Sequence, residues 1–228
     1  MIIERYPDAA SAAEAAAKAI IEGLAGEGPK RFIATGGKSV GQLYDRLAAA
    51  RLDWARLTVG LSDERFVPAS APESNERLVR DRLLKGGASE ARFIPLKGAG
   101  LSPADDAATA EPKIRALLPF DVVLLGVGED GHIASLFPCA PELEEALDPA
   151  GERLVIGVER ACLTPYGPRI SLTLAAILQS RLIVVFAAGE AKRALLERVA
   201  EDPAFAPPVS DVLRQSGVPV RVIWSPGS

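Results

Sequence analysis

The 228-residue sequence has little of two residue types that build metal and disulfide sites: it contains one histidine and two cysteines. A lone imidazole with scattered carboxylates has no metal-ligand spacing, so we expect no metal. Cys139 and Cys162 lie in unrelated contexts without CxxC spacing. We therefore expect buried or incidental thiols rather than a disulfide framework.

The sequence also lacks a net positive charge and long apolar runs. The formal net charge of −4 argues against a nucleic-acid partner, so an anionic ligand would need a local cluster of Lys and Arg. The longest apolar runs, at 120–128 and 181–189, fall far short of the roughly 20 residues of a membrane-spanning helix. The first ten residues lack the pattern of a secretory signal. We expect a soluble, cytoplasmic protein with no membrane partner.

What the sequence does contain is a regular alternation of apolar β-branched runs with alanine- and leucine-rich segments of helical period, which is typical of βαβ units. We predict a single domain over residues 1–228 with an α/β fold: a Rossmann-like open, mostly parallel sheet with helices on both faces. Continuous hydrophobicity at 121–127 and 182–188 predicts central strands covered on both faces. Asp8 is the predicted N-cap of the first helix.

Four polar clusters follow predicted strands or open the next helix: "TGGKS" (35–39), "SDER" (62–65), "GEDGH" (128–132) and "GEAK" (189–192). In open α/β sheets, ligands bind beyond the carboxyl ends of the strands. We therefore expect several of these clusters to meet at one rim of the sheet.

The first cluster fits an anion site, because Gly36 and Gly37 let backbone N–H groups approach a phosphate at a helix start. An ordinary tight turn explains them equally well. In the second cluster, Arg65 is suited to a phosphate, a carboxylate or a developing oxyanion. Asp63 and Glu64 fit equally a solvated loop whose charges pair with neighbours.

Arg169 and Lys192 precede or open helical segments in the second half of the chain. Each fits a surface charge, and each also fits a phosphate ligand if the glycine loop holds an anion.

His132 is the candidate general base, since imidazole titrates near neutrality. Asp130, two residues earlier across a glycine, is placed to orient it. The alternative is a hydrogen-bonded loop histidine without a catalytic role. A Ser/His/Asp mechanism has little support, because GxSxG is absent.

Four ordered motifs resemble those of the 6-phosphogluconolactonase family, which belongs to a wider group that includes glucosamine-6-phosphate deaminase. "TGGKSV" resembles the SGGST-like loop, "SDERFVPASAPESN" resembles DERxVPxxxxxSN, and "GVGEDGHIASLFP" resembles GxGxDGHxASLFP. "PRISLT" followed by "GEAK" completes the set, so the resemblance covers nearly the whole chain. Lys38 stands where the family usually has a small hydroxyl residue, and Val40 where proline is common.

The resemblance implies hydrolysis of 6-phosphogluconolactone to 6-phosphogluconate in the oxidative pentose phosphate pathway. His132 would take a proton from water, Asp130 would orient His132, and Arg65 would help the oxyanion or a substrate hydroxyl. The implied phosphate ligands are Gly36, Gly37, Ser39, Arg169 and Lys192. No cofactor is implied, because a lactone is already an activated ester. The expected partner is a phosphosugar lactone alone, with a monomer expected and a homodimer as the alternative.

Two other functions stay open at this point. Deaminases of the wider group carry a motif resembling DGHIAFNEP, whose glutamate assists ring opening and isomerisation; Phe137 occupies that position here, which argues against this activity. A non-catalytic sugar-phosphate sensor is the second alternative, and the presence of His132, Asp130 and Arg65 argues against it.

Overall fold

The computed structural model describes residues 1–159 and 167–227, in which ten strands and eight α-helices are found. The strands are β1 (Ile3–Arg5), β2 (Lys30–Ala34), β3 (Leu57–Leu61), β4 (Asp63–Arg65), β5 (Arg92–Phe93), β6 (Val122–Gly126), β7 (Val155–Val158), β8 (Arg169–Leu172), β9 (Ile183–Ala188) and β10 (Val220–Ser225). The helices are α1 (Ala9–Gly23), α2 (Gly41–Ala48), α3 (Asn75–Arg82), α4 (Pro103–Arg115), α5 (Leu143–Ala146), α6 (Leu174–Ile177), α7 (Glu190–Glu201) and α8 (Val209–Arg214).

Seven strands form one parallel sheet in the order β1-β10-β9-β6-β2-β3-β5. The predicted α/β fold with a mostly parallel sheet and surrounding helices is therefore confirmed. The continuous apolar runs occupy the neighbouring strands β6 and β9, whose side chains are buried on both faces. Their central position follows from this pattern, since only an interior strand buries successive side chains.

The strand order reverses between β2 and β6. From β2 the chain continues outward through β3 and β5, and it then returns to the other side of β2 with β6, β9 and β10. A crevice opens at the carboxyl ends of the strands wherever an α/β sheet reverses in this way, and ligands bind there. Two loops lie at this crevice. The glycine loop, with Gly36 and Gly37, follows β2, and the histidine loop, with Asp130 and His132, follows β6.

A smaller antiparallel sheet, β4-β8-β7, lies beside the main one and packs against α4. Arg65 on β4 pairs directly with Arg169 on β8. Arg169 precedes helix α6, as predicted, but it does so as the first residue of the buried strand β8. The reason is non-local: the run from 169 to 172 finds partners on both sides, in β4 and β7.

Local signals set the helix starts. Asp8 caps α1 as predicted, with its carboxylate accepting from the Ser11 N–H at 2.7 Å. Ser102 and Asp105 form a capping box at the start of α4. Alanines along one side of α1 are buried, and this small-residue face packs onto β9 and β10.

The cysteine prediction is wrong for Cys139, which is exposed and disulfide-bonded. Cys162, included in the same prediction, lies outside the described residues. In the part of the chain that the structure describes, every helix is too short or too polar to cross a membrane.

Candidate active site

A cavity of about 600 Å³ opens at the carboxyl ends of the central strands. This volume suits a sugar-sized ligand. All four polar clusters contribute to its wall. The contributing residues include Thr35, Gly36, Gly37, Lys38, Ser39, Asp63, Arg65, Gly128, Glu129, His132, Gly189 and Lys192.

The glycine loop after β2 needs both of its glycines, for different reasons. Gly37 has φ +114°, a backbone conformation that residues other than glycine rarely adopt, and it precedes the 3₁₀ turn Lys38–Val40. A Cβ on Gly36 would lie only 1.9 Å from Oδ1 of Asn75. Ser39 is the second residue of the same turn and lines the cavity. The loop thus offers backbone N–H groups at a helical start, which is a favourable place for an anion.

Asp63 and Glu64 lie on strand β4 and are buried, so the alternative of charges paired on a solvated loop is wrong for both residues. Glu64 is 1% exposed and accepts hydrogen bonds from the N–H groups of Arg65, Asn75 and Glu76, each at 2.7 Å, and from the Ser74 hydroxyl at 3.0 Å. Burial raises the pKa of Glu64, and these hydrogen bonds oppose the rise. Glu64 therefore anchors the start of α3 beneath the cavity.

Asp63 connects three segments around the cavity. Its Oδ2 accepts from the Ser135 hydroxyl at 2.7 Å, which links it to the histidine loop. Its Oδ1 accepts from the Ser62 hydroxyl at 3.0 Å, and its carbonyl oxygen accepts from Nδ2 of Asn75 at 2.8 Å. Next to Ser135, Ala134 has φ +48°, the one positive φ at a non-glycine residue in the described ranges. Asp63 thus helps to hold a strained turn in the cavity wall.

His132 and Asp130 form the central pair of the site. Nδ1 of the imidazole lies 2.6 Å from Oδ1 of Asp130, which also accepts from the His132 backbone N–H at 3.2 Å. Burial tends to raise the pKa of Asp130, but its hydrogen bond and attraction to His132 outweigh burial and lower it. Because an ionised carboxylate only accepts hydrogen bonds, Nδ1 is the donor to Asp130, which leaves Nε2 as the acceptor in the neutral form of the imidazole. Nε2 has no hydrogen-bond partner among residues 1–159 and 167–227.

Tight packing fixes the orientation of this pair. A Cβ on Gly128 would lie 2.2 Å from Nδ1 of His132 and 2.4 Å from Oδ1 of Asp130. Phe137 packs against the imidazole on another side, with ring centroids 4.6 Å apart and an interplanar angle of 52°. Phe137 is 3% exposed. An apolar ring therefore occupies the position next to the imidazole that the deaminase-like motif gives to a glutamate.

The three predicted cationic residues are placed differently. Arg65 and Lys192 line the cavity, and the guanidinium of Arg65 donates to the carbonyl of Glu73. Arg169 is 3% exposed, lies beside Arg65 in the small sheet, and is not part of the cavity wall. Burial lowers the pKa of Lys192, and the negative charge of Glu129 partly counteracts this. The structure thus brings Gly36, Gly37, Ser39, Arg65, His132 and Lys192 together, with Asp130 behind His132 and Arg169 behind Arg65.

The sequence reasoning assigned no role to Asn75 or Gly189, and both line the cavity. Asn75 closes the quoted motif "SDERFVPASAPESN", so its presence in a motif was the available signal. Gly189 opens "GEAK" with φ +97°, directly before α7. A glycine at a helix start opposite another glycine loop could have indicated a second side of the anion site.

Comparisons with known proteins show which family the chain resembles. A family model described as glucosamine-6-phosphate isomerases/6-phosphogluconolactonase matches residues 7–224. A Caulobacter vibrioides protein named 6-phosphogluconolactonase is 46% identical over 94% of this chain and 91% of its own length. One from Mesorhizobium japonicum with the same name is 39% identical over 97% and 94%, respectively.

Solved structures give the same result. The crystal structure of a 6-phosphogluconolactonase from Shewanella baltica matches with a TM-score of 0.90 and 34% identity, covering 99% of this chain and 97% of that one. A monomeric glucosamine-6-phosphate deaminase matches with a TM-score of 0.80 at 17% identity over 99% and 97%, a likeness of fold alone. With a family model and close relatives that span nearly its whole length, the chain belongs to the glucosamine-6-phosphate isomerase/6-phosphogluconolactonase family.

Proposed function

We propose that the protein is a 6-phosphogluconolactonase, which hydrolyses 6-phospho-D-glucono-1,5-lactone to 6-phospho-D-gluconate in the oxidative pentose phosphate pathway. The relatives named 6-phosphogluconolactonase support the reaction class. The observation that carries the proposal is His132 in the wall of the cavity, held from behind by Asp130, with Nε2 unpartnered in the described part of the chain. Hydrolysis of a phosphorylated lactone needs one general base and one anion-binding site for the phosphate.

In the proposed mechanism, Nε2 of His132 takes a proton from water as the water oxygen attacks C1 of the lactone. The carboxylate of Asp130 keeps the imidazole in the required tautomer and stabilises the imidazolium that forms. The tetrahedral intermediate then expels the ring oxygen, and the imidazolium returns its proton to that oxygen. Water is consumed and one C–O bond is broken, so no cofactor is needed.

The substrate phosphate is proposed to lie at Gly36, Gly37 and Ser39, where the glycine loop opens toward the cavity. Lys192 faces the same space and is a suitable counter-charge. Arg65 supports the developing oxyanion or orients a substrate hydroxyl. Arg169 stays a proposed phosphate ligand, and its buried place beside Arg65 requires a side-chain rearrangement for direct contact.

A glucosamine-6-phosphate deaminase is the second candidate, because the family includes both activities. Phe137 argues against it. Isomerisation needs a second proton-transfer group beside the histidine, and the phenyl ring in van der Waals contact with His132 cannot transfer protons. The monomeric state, the single domain and the cytoplasmic location also stay predictions.

The first experiment measures hydrolysis of freshly generated 6-phosphogluconolactone, corrected for the spontaneous rate. The wild type should exceed the background, and His132→Ala should lose roughly 100-fold or more, the usual contribution of a general base. A wild type that matches the background would reject the lactonase proposal. Ammonia release from glucosamine 6-phosphate would instead favour the deaminase. Tight binding of 6-phosphogluconate without turnover of either substrate would favour the sensor.

A further inference from the structure

Lys38 is a cation of the cavity wall that has no role in the proposed mechanism. It is the first residue of the 3₁₀ turn Lys38–Val40, between Gly37 and Ser39, and its side chain is exposed. It lines the same cavity as Lys192. Consecutive Cα atoms are about 3.8 Å apart. Lys38 is therefore within reach of any phosphate that both of its neighbours, Gly37 and Ser39, contact.

Lys38 also differs from most other lysines in its ionic partners. A carboxylate lies within 4.0 Å of the ammonium group of Lys18, Lys30, Lys85 and Lys97. Among the described residues, the lysines without such a carboxylate are Lys38, Lys192 and Lys113. Lys113 is exposed on α4 and points to open solvent. The two that remain both belong to the cavity.

The local backbone adds to the positive potential of this cavity. Gly37 and Gly189 each precede a helical segment, each has a positive φ, and neither end has a side-chain cap. Lys38 and Lys192 lie in the first turns of those segments, where the exposed N–H groups already carry partial positive charge. An anionic ligand between the two helical starts would therefore be favourable, in addition to Glu129 in the cavity wall, which already supplies negative charge near Lys192. Burial lowers the pKa of Lys192, in agreement with an environment that disfavours a cation.

We propose that Lys38 is a phosphate-binding residue that selects phosphorylated over unphosphorylated lactones, with its ammonium group on the substrate phosphate opposite Lys192. This inference rests on the proposed function, which places a phosphorylated lactone in the cavity. The unpartnered side chain of Lys38 must be ordered when it binds, which limits its gain. Its contribution is therefore to affinity for the phosphate and not to the chemical step at C1.

The test is calorimetric binding of 6-phosphogluconate, gluconate and inorganic phosphate to the full chain in a phosphate-free buffer. Lys38→Gln should lower the affinity for 6-phosphogluconate about tenfold, equivalent to about 1.4 kcal/mol of binding free energy. The affinity for inorganic phosphate should fall in parallel. Gluconate binding should not change. Lys38→Arg should restore most of the affinity, because it keeps the charge. Lys113→Gln removes the same charge outside the cavity and should behave as wild type.

Kinetics give an independent readout. In Lys38→Gln, KM for 6-phosphogluconolactone should rise and kcat should stay near the wild-type value, because uniform binding energy is lost. The inference would be overturned if Lys38→Gln bound 6-phosphogluconate with wild-type affinity. It would also be overturned if the variant lost as much affinity for gluconate as for 6-phosphogluconate. If the wild type binds 6-phosphogluconate and hydrolyses the lactone but Lys38→Gln is unaffected, only this inference fails. If the wild type neither binds 6-phosphogluconate nor hydrolyses 6-phosphogluconolactone, both the proposed function and the inference about Lys38 fail.

Discussion

Replacing Gly128 with alanine disturbs the Asp130–His132 pair without changing either residue. The added Cβ would lie 2.2 Å from Nδ1 of His132, whereas ordinary contacts begin at 3.4 Å, so the ring must move by about 1.2 Å. A misplacement of about 1 Å can cost roughly 100-fold in rate. We therefore expect kcat to fall by about 100-fold or more, close to the effect of removing the base.

The stability of the variant should suffer much less than its activity. His132 is partly exposed, so the ring can move toward the cavity and lose one hydrogen bond. We expect the free energy of unfolding to fall by about 1–2 kcal/mol. The assays are kcat for 6-phosphogluconolactone, corrected for spontaneous hydrolysis, and urea unfolding.

Gly87→Ala is the matched control. No heavy atom lies within 4 Å of the position of its added Cβ, and Gly87 is outside the cavity. This variant should keep both activity and stability. A folded Gly128→Ala variant with wild-type kcat would refute the reasoning, because it would show that the geometry of the Asp130–His132 pair does not set the rate.

Three further predictions concern other parts of the site. Gly36→Ala should displace Asn75 and break its 2.8 Å hydrogen bond to Asp63, which lowers the unfolding free energy by about 1–3 kcal/mol; adding Asn75→Ala should recover part of the loss, and strictly additive effects would contradict the steric explanation. The lowered pKa of Asp130 means that its stabilisation is present above the ordinary value of 3.8 and is lost as pH falls through the lowered native pKa; urea unfolding at several pH values should show this acid-side loss in wild type and a smaller one in Asp130→Asn. Ala134→Gly relieves a positive φ and should raise the unfolding free energy by about 0.5–1 kcal/mol, whereas a decrease would show that the turn is not strained.

Part of the site was predictable because its signals are local. Asp130 and His132 are two residues apart across a glycine, so their hydrogen bond needs no distant partner. The glycine loop, the strand before it and the helix after it are consecutive in the chain. The relation between Asn75 and Gly36 was not predictable, because it joins the start of α3 to the end of β2 through side-chain packing.

Short strands are the part of this fold that patterns in the sequence do not predict. β1 has three residues and β4 has three, too few to show a period of two. β5, at Arg92–Phe93, is shorter still and pairs only with β3. Whether such segments become strands depends on partners far away in the chain, which no window of sequence contains.

The sequence by itself determined the central strands of the sheet, the start of the first helix and the pairing of His132 with Asp130. Continuous hydrophobicity placed β6 and β9 inside the sheet, Asp8 began α1, and the single imidazole had its carboxylate partner two residues away. Tertiary structure alone decided which cations reach the cavity, why Asp63 and Glu64 are buried, and why Arg169 lies on a strand beside Arg65. The physical reason is range: caps, turns and hydrophobic runs act over a few residues, whereas strand pairing and burial depend on contacts between segments that are far apart in the chain.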